Sequence, residues 1–125
     1  MKLILAHIRP HKLDEVALAL RQLPGLTGVS ASTSRGWGHA KQEAEKEHRA
    51  DRVSDFEEYI RLEICCVDSL AEDVIDAIEL SARTGLLGDG KIFVSALEET
   101  IRIRTGDRGE GACPPVPTCL RHSAS

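Results

Sequence analysis

Thr-Gly-Leu-Leu-Gly-Asp-Gly-Lys-Ile-Phe-Val, residues 84–94, joins the end of a predicted helix to the start of a predicted strand. Three glycines within six residues let backbone N–H groups turn toward one point without a Cβ in the way. Lys91 adds a cation beside them, so the stretch predicts a loop that holds a polyphosphate. The alternative is an ordinary turn, because the Walker A spacing, with Lys followed by Ser or Thr, is absent.

Apolar periodicity around this loop predicts the remaining elements. It indicates strands over 2–8, 26–35, 59–67 and 91–97, and helices over 12–23 and from 69 to the glycine at 85. The helical stripes are Leu13, Val16, Leu20 and Leu23 in the first helix and Leu70, Val74, Ala77, Ile78 and Ser81 in the second. Ser69 with Glu72 three residues later predicts a capping box. Alternation over 101–104 predicts a short edge strand with two arginines on one face.

The third strand carries the clearest alternation. Its two faces are Ile60, Leu62, Ile64 and Cys66 on one side and Tyr59, Arg61, Glu63 and Cys65 on the other. The order strand, helix, strand, long connection, strand, helix, strand predicts an α+β ferredoxin-like sandwich with both helices on one side of the sheet. The opposite sheet face is then either polar or buried between subunits, and the second option suits a chain this small.

Size and charge exclude several classes of protein. A chain of 125 residues is expected to form one domain. Its net charge of -4 gives no reason to expect nucleic acid as a partner, and no run approaches the length of a membrane span. Residues 1–8 read as a first strand rather than a signal segment. We therefore expect a cytoplasmic protein without membrane insertion.

Residues 38–55 are highly charged and lack an apolar stripe. A helix there would bury nothing, so the segment is expected to be marginal in isolation. Such a long connection inside a small domain predicts a partner-binding arm, and the alternative is a solvated loop without function.

Four motifs resemble those of the PII signalling proteins, which are trimeric sensors of adenine nucleotides. They are Lys12–Val16, Gly36-Trp37-Gly38, Thr84–Val94 and Ile101–Gly106. The resemblance implies a PII-like domain over residues 1–106, with a T-loop at about 38–55, a B-loop at 84–91 and a C-loop at 101–106. Residues 107–125 are expected to be a flexible tail. It also implies a homotrimer with nucleotide clefts between neighbouring subunits.

The resemblance assigns residues to an AMP, ADP or ATP site, and no other cofactor is implied. The B-loop residues are Leu87, Gly88, Asp89, Gly90 and Lys91, and the partner subunit's C-loop supplies Arg102 and Arg104 to phosphate oxygens. Arginine suits phosphate because its fork of donors binds two oxygens at once. Glu63 and Cys66 fall at the adenine, Ser30 supplies a hydroxyl, and Gly36, Trp37 and Gly38 form the T-loop base. The alternative for the two arginines is a solubilising edge.

Departures from the family pattern fall on the chemistry of nitrogen sensing. Ala40 replaces a glutamine that helps to hold magnesium and 2-oxoglutarate, and a methyl group cannot coordinate a hard cation. Tyr59 replaces the lysine that pairs with the 2-oxoglutarate carboxylate, and Arg52 replaces the tyrosine that is uridylylated. We therefore expect a small anion such as bicarbonate as second effector, near His39, Arg61 and Lys91.

The last segment contains Cys113 and Cys119, which can close a small redox-sensitive ring or remain idle thiols in a disordered tail. This loosely resembles PII-like proteins of inorganic carbon uptake and carboxysomes. Zinc is a minor hypothesis, because the four cysteines include no Cys-x-x-Cys pair to accompany the five histidines. On the first strand, His7 is expected on the open face of the sheet.

The sequence therefore predicts a non-enzymatic, adenylate-sensing trimer that signals energy or carbon status through its T-loop. The expected target is a transporter, an enzyme or a carboxysome component. The alternatives are a nitrogen-regulatory PII protein that senses ATP and 2-oxoglutarate, a PII-like protein linked to metal transport, and a weak nucleotide hydrolase. The last lacks a general base beside an assigned phosphate.

Overall fold

Four strands and two helices, in the order strand, helix, strand, strand, helix, strand, make up a computed structural model that describes residues 1–37 and 56–112. The elements are β1 (Lys2–Ile8), α1 (Leu13–Arg21), β2 (Ser30–Gly36), β3 (Glu57–Cys66), α2 (Ala71–Ala82) and β4 (Lys91–Ala96). The sheet order is β2-β3-β1-β4, and every neighbouring pair is antiparallel. This confirms the α+β ferredoxin-like prediction. Among the described residues, no helix is long and apolar enough to cross a membrane.

The core lies between one face of the sheet and the two helices. Its largest fully buried side chains are Ile4, Val16, Leu20, Leu62, Ile64, Val74 and Ile78. Alternation in β1 and β3 produces this layer, because every second side chain points toward the helices. The helical stripe of α1 is confirmed, since Leu13 and Leu23 pack against the same cluster.

The predicted capping box of the second helix is wrong. A short 3-10 turn, Asp68–Leu70, precedes α2, and Leu70 occupies the N-cap without a side-chain hydrogen bond. Backbone groups replace the cap, because the N–H of Leu70 donates to the carbonyl of Val67 at 3.0 Å. This geometry brings the Leu70 side chain against the core, so burial of an apolar residue decides where the helix begins.

Strand β2 begins at Ser30, four residues later than expected, and lies at the edge of the sheet. Before it, Leu26 packs against the core while Thr27–Val29 are exposed. Within the strand, Ala31, Thr33 and Arg35 remain exposed although they face the helical side. The two helices therefore leave the β2 edge uncovered.

The predicted edge strand over 101–104 is also wrong. Only an isolated bridge joins Ile101 to Arg108, and a turn lies between them. The N–H of Arg102 donates to the carbonyl of Asp107, and the N–H of Gly106 donates back to the Arg102 carbonyl. Gly106 has φ +76°, a conformation that glycine adopts without a Cβ penalty, so the segment closes on itself before it can pair along a strand.

Candidate functional site

The loop between α2 and β4 depends on glycine at three positions. Gly85, Gly88 and Gly90 have φ values of +86°, +92° and +106°, a region that side chains with a Cβ rarely occupy. The last of these also meets β1, because a Cβ on Gly90 would lie 1.7 Å from the carbonyl oxygen of His7. The backbone of the loop at Gly90 therefore packs directly against the backbone at the end of β1.

Asp89 holds this loop together from inside. Its carboxylate accepts hydrogen bonds from the N–H groups of Thr84 at 2.8 Å and Gly85 at 2.9 Å, and from the Thr84 hydroxyl. These bonds, the Thr84 hydroxyl foremost, hold the pKa of Asp89 well below its ordinary value. The Asp89 carboxylate therefore shapes the loop from within, and the assignment of residue 89 to the phosphates stays a prediction.

Arg9 braces the loop from the end of β1, and the sequence interpretation missed it. Its Nε donates to Asp89 at 3.0 Å, and its Nη2 donates to the carbonyl of Leu87. The Arg9 and Asp89 side chains are each about a quarter exposed. In sequence they are 80 residues apart, so local pattern carries no signal for the pair.

The braced loop leaves potential anion donors available. In the part of the chain that the structure describes, the N–H groups of Leu87 and Gly88 donate to no other residue. Lys91 is exposed at the first position of β4. Amide groups and an ammonium at one turn are the elements of an anion-binding loop.

The open face of the sheet places three cationic or titratable side chains in one row. Strand register sets His7 directly between Arg61 on β3 and Lys91 on β4. Neighbouring strands lie about 4.8 Å apart, so the Cα atoms of Arg61 and Lys91 are roughly 10 Å apart across His7. The two described residues assigned to the small-anion site thus share a row, while His39 lies outside the described residues.

Aromatic rings hold His7 in place. Its ring lies 4.5 Å from the Tyr59 ring in a tilted arrangement and 5.3 Å from the Phe93 ring edge-on. Burial first, and the Arg61 charge second, lower the pKa of His7 below its ordinary value of 6.5. As predicted, His7 lies on the face opposite Ile4, Ala6 and Ile8.

Of the two residues assigned to the adenine, only one lies on the open face. Glu63 is exposed beside Ser30, whose hydroxyl approaches the Glu63 carbonyl at 3.5 Å. Cys66 is 3% exposed and packs in the core under the helices, so it cannot share that surface. Its neighbour Cys65 is half-buried and lies on the same face of the sheet as Glu63, two residues earlier in β3. The assignment of Cys66 is therefore corrected, and Cys65 is the residue that the strand presents there.

The C-loop arginines are held apart from the glycine loop within one chain. Arg102 is half-buried, and its Nε donates to the carbonyl of Ala112 at 3.1 Å. Arg104 is exposed in the turn. Within residues 1–37 and 56–112, neither arginine forms a hydrogen bond or ion pair with residues 84–91. A joint site for both groups would need a second chain.

Other predicted residues fall at the limits of the described chain. Gly36 lies under Tyr59, whose Cε1 would be 3.0 Å from an added Cβ, and Trp37 is 54% exposed. Gly38, the rest of the predicted T-loop, Cys113 and Cys119 lie outside the described residues. No group of three or more metal-ligating side chains occurs among residues 1–37 and 56–112.

The geometry defines a small ferredoxin-like protein with a candidate anion-binding loop at one edge of its sheet. A family model described as "Nitrogen regulatory protein P-II" matches residues 1–107. The Nitrogen regulatory protein P-II of Rhodospirillum rubrum is 47% identical over 112 residues, which cover 90% of this chain and 99% of the relative. That of Bradyrhizobium diazoefficiens is 49% identical over 109 residues, covering 87% and 96%. That of Nostoc punctiforme is 42% identical over 112 residues, covering 90% and 99%. This chain belongs to the P-II family of regulatory proteins.

Proposed function

We propose that this chain is a PII-type regulator of nitrogen metabolism that binds an adenine nucleotide through residues 84–91. The observation that carries the proposal is the braced loop, in which Asp89 and Arg9 fix the turn. Available amides at Leu87 and Gly88 precede the exposed Lys91 in the same loop. The relatives named nitrogen regulatory proteins support the nitrogen role.

A homotrimer would complete the site. The open sheet face carries apolar and aromatic groups, including Leu5 and the 47% exposed Phe93, and burial against neighbouring subunits would remove them from water. The same association would bring Arg102 and Arg104 of one chain to the loop of the next. Their bidentate guanidinium groups suit phosphate oxygens.

Calorimetric titration with AMP, ADP and ATP tests the nucleotide site. Lys91→Ala is expected to weaken ADP binding at least tenfold, because a hydrogen bond to a charged group contributes about 1.5–3 kcal/mol. Lys12→Ala is the matched control, since it makes the same charge change at a lysine whose ammonium pairs with Glu15 on α1. Equal losses in both variants would mean that net charge, not the loop, determines binding.

Mixed trimers test whether two chains build one site. Lys91→Ala and Arg102→Ala should each weaken ADP binding at least tenfold. Random assembly of an equal mixture should restore about a quarter of the sites, because each restored site needs the intact half from each of two neighbours. A mixture that binds no more ADP than its two components would refute the shared site.

The second effector is proposed to be a small carboxylate-type anion, either 2-oxoglutarate or bicarbonate. Arg61 and Lys91 on the open face support an anion there, while Tyr59 provides no charge to pair with a dicarboxylate. Titration of the ADP-bound and the magnesium–ATP-bound protein with each anion separates the two sources. Magnesium-dependent 2-oxoglutarate binding would support nitrogen sensing, whereas tightening by bicarbonate would support carbon sensing.

A non-enzymatic role is proposed, with binding of ligand changing the affinity for a protein target. Such coupling requires a differential contact between ligand-bound and free states. Steady phosphate release in proportion to protein concentration would overturn this part. A pull-down with and without ADP, comparing wild type with Lys91→Ala, is the corresponding test for a nucleotide-dependent target.

A further inference from the structure

His7 lies at a position where its charge would matter to a bound phosphate. Its backbone carbonyl contacts the Gly90 turn, and its side chain lies between the side chains of Arg61 and Lys91 on the open face. Directly opposite residues on one face of an antiparallel pair have Cβ atoms about 4.5–5.5 Å apart. The imidazole is therefore next to the lysine that begins β4 and ends the glycine loop.

The charged groups around His7 come from three directions. On β3, Arg61 is directly opposite and forms an ion pair with Glu63 at 3.2 Å. On β4, Lys91 is directly opposite, and beyond the end of β1 the Arg9 guanidinium is engaged by Asp89. The remaining titratable neighbour is Tyr59, which stacks on the ring. Burial first, and the Arg61 charge second, lower the pKa of His7 and favour neutral imidazole in the ligand-free protein.

We propose that His7 is a proton-linked binding residue of the nucleotide site, which takes up a proton when the phosphate groups of an adenine nucleotide bind beside Lys91. This inference rests on the proposed function, because it assigns a further ligand-binding residue to the same site. Imidazolium has two N–H donors, so protonation supplies a charged donor that neutral imidazole lacks.

The sign of the effect follows from electrostatics. Without ligand, burial and the Arg61 charge lower the pKa of His7. A phosphate near Lys91 brings negative charge to the same place and favours the imidazolium form, so the pKa of His7 rises on binding. A group that gains a proton on binding makes affinity increase as pH falls between its free and bound pKa values.

Two substitutions separate this role from packing. His7→Phe keeps an aromatic ring between Tyr59 and Phe93 but cannot titrate, and His7→Asn keeps a polar group of smaller size. His11→Asn is the control, because His11 is an exposed histidine four residues away in the turn before α1. Comparison with His7→Phe also cancels the ionisation of the nucleotide's own phosphates.

The experiment is ADP calorimetry between pH 6 and 8 in two buffers of different ionisation enthalpy. Wild type and His11→Asn should take up more protons than His7→Phe or His7→Asn. Their affinity relative to the His7 variants should rise as pH falls, by about a factor of ten for each unit by which ADP raises the pKa of His7. The imidazole proton resonance that is missing from His7→Phe should titrate at higher pH with ADP than without it.

Two outcomes overturn the inference in distinguishable ways. If ADP binds but wild type and His7→Phe have the same pH slope and proton uptake, His7 has no linked role while the proposed function stands. If no variant, including wild type, binds any adenine nucleotide, the proposed function fails and this inference fails with it.

Discussion

Gly90→Ala tests the closest backbone approach in the candidate site. An added Cβ would lie 1.7 Å from the carbonyl oxygen of His7, whereas real Cβ contacts essentially never fall under 3.0 Å. The obstacle is backbone of the central strand β1, so no side-chain rotation can relieve it. Strands β1 and β4 must separate, or the glycine turn must change its path.

The magnitude has two parts. A non-glycine residue at φ +106° costs about 1–2 kcal/mol, and forced overpacking commonly adds about 1–3 kcal/mol. We expect Gly90→Ala to lower the free energy of unfolding by roughly 2–5 kcal/mol. Gly85→Ala is the matched control, because Gly85 has φ +86° but no atom within 4 Å of an added Cβ. Gly85→Ala should therefore lower the free energy of unfolding only by the cost of placing a side chain at positive φ.

Urea denaturation at one fixed protein concentration measures the difference, since the stability of an associating protein depends on concentration. ADP calorimetry on the folded variants then measures how far each substitution in the loop weakens ADP binding. Gly90→Ala should bind ADP more weakly than Gly85→Ala, because its clash displaces the strand that begins with Lys91. If the two variants unfold within about 0.5 kcal/mol of each other, the close approach to His7 carries no energetic weight and the reasoning is wrong.

Three further predictions concern the brace and the corrected adenine residue. Arg9→Lys keeps the charge but cannot reach both Asp89 and the Leu87 carbonyl, so calorimetry should show ADP affinity about five- to tenfold lower. Arg21→Lys, at the exposed last position of α1, is the control and should leave ADP affinity unchanged. Because the folded pKa of Asp89 is depressed, the stabilisation that its carboxylate provides is fully present above the unfolded value of 3.8 and is lost as pH falls through the folded pKa. In urea titrations at pH 2.5–6, the free energy of unfolding should therefore fall less with acid for Asp89→Asn than for wild type. Identical dependence of that free energy on pH in both proteins would contradict the brace. Cys66→Ala should cost about 1–2 kcal/mol of stability yet leave ADP affinity unchanged, and a large loss of affinity would return Cys66 to the site.

Periodicity predicted the sheet, both helices and their packing because these depend on burial of apolar side chains. The alternation of β3 is an example, since Ile60, Leu62 and Ile64 are buried as expected. The same alternation already separated Cys66 from Glu63, and it indicated Cys65 as the residue beside Glu63. The adenine assignment was thus contradicted by a pattern present in the sequence itself.

Contacts between distant segments could not be predicted from local pattern. Arg9 follows the first strand and Asp89 precedes the last, and only the pairing of β1 with β4 brings their side chains together. The prediction of where α2 begins was wrong for a related reason. A capping box satisfies N–H groups locally, but burial of Leu70 against the core favoured a 3-10 turn whose backbone satisfies them instead.

An acidic group inside the proposed anion-binding loop is compatible with phosphate binding only if its charge is already satisfied. Asp89 would repel phosphate if its carboxylate pointed outward, but Arg9 and Thr84 turn it inward and neutralise it. The same hydrogen bonds that remove this repulsion also fix the turn whose amides at Leu87 and Gly88 are available to a ligand. The proposed loop therefore uses the arginine that follows β1 as well as its own lysine. Arg9 offsets the internal acid, and Lys91 remains exposed for the proposed anion.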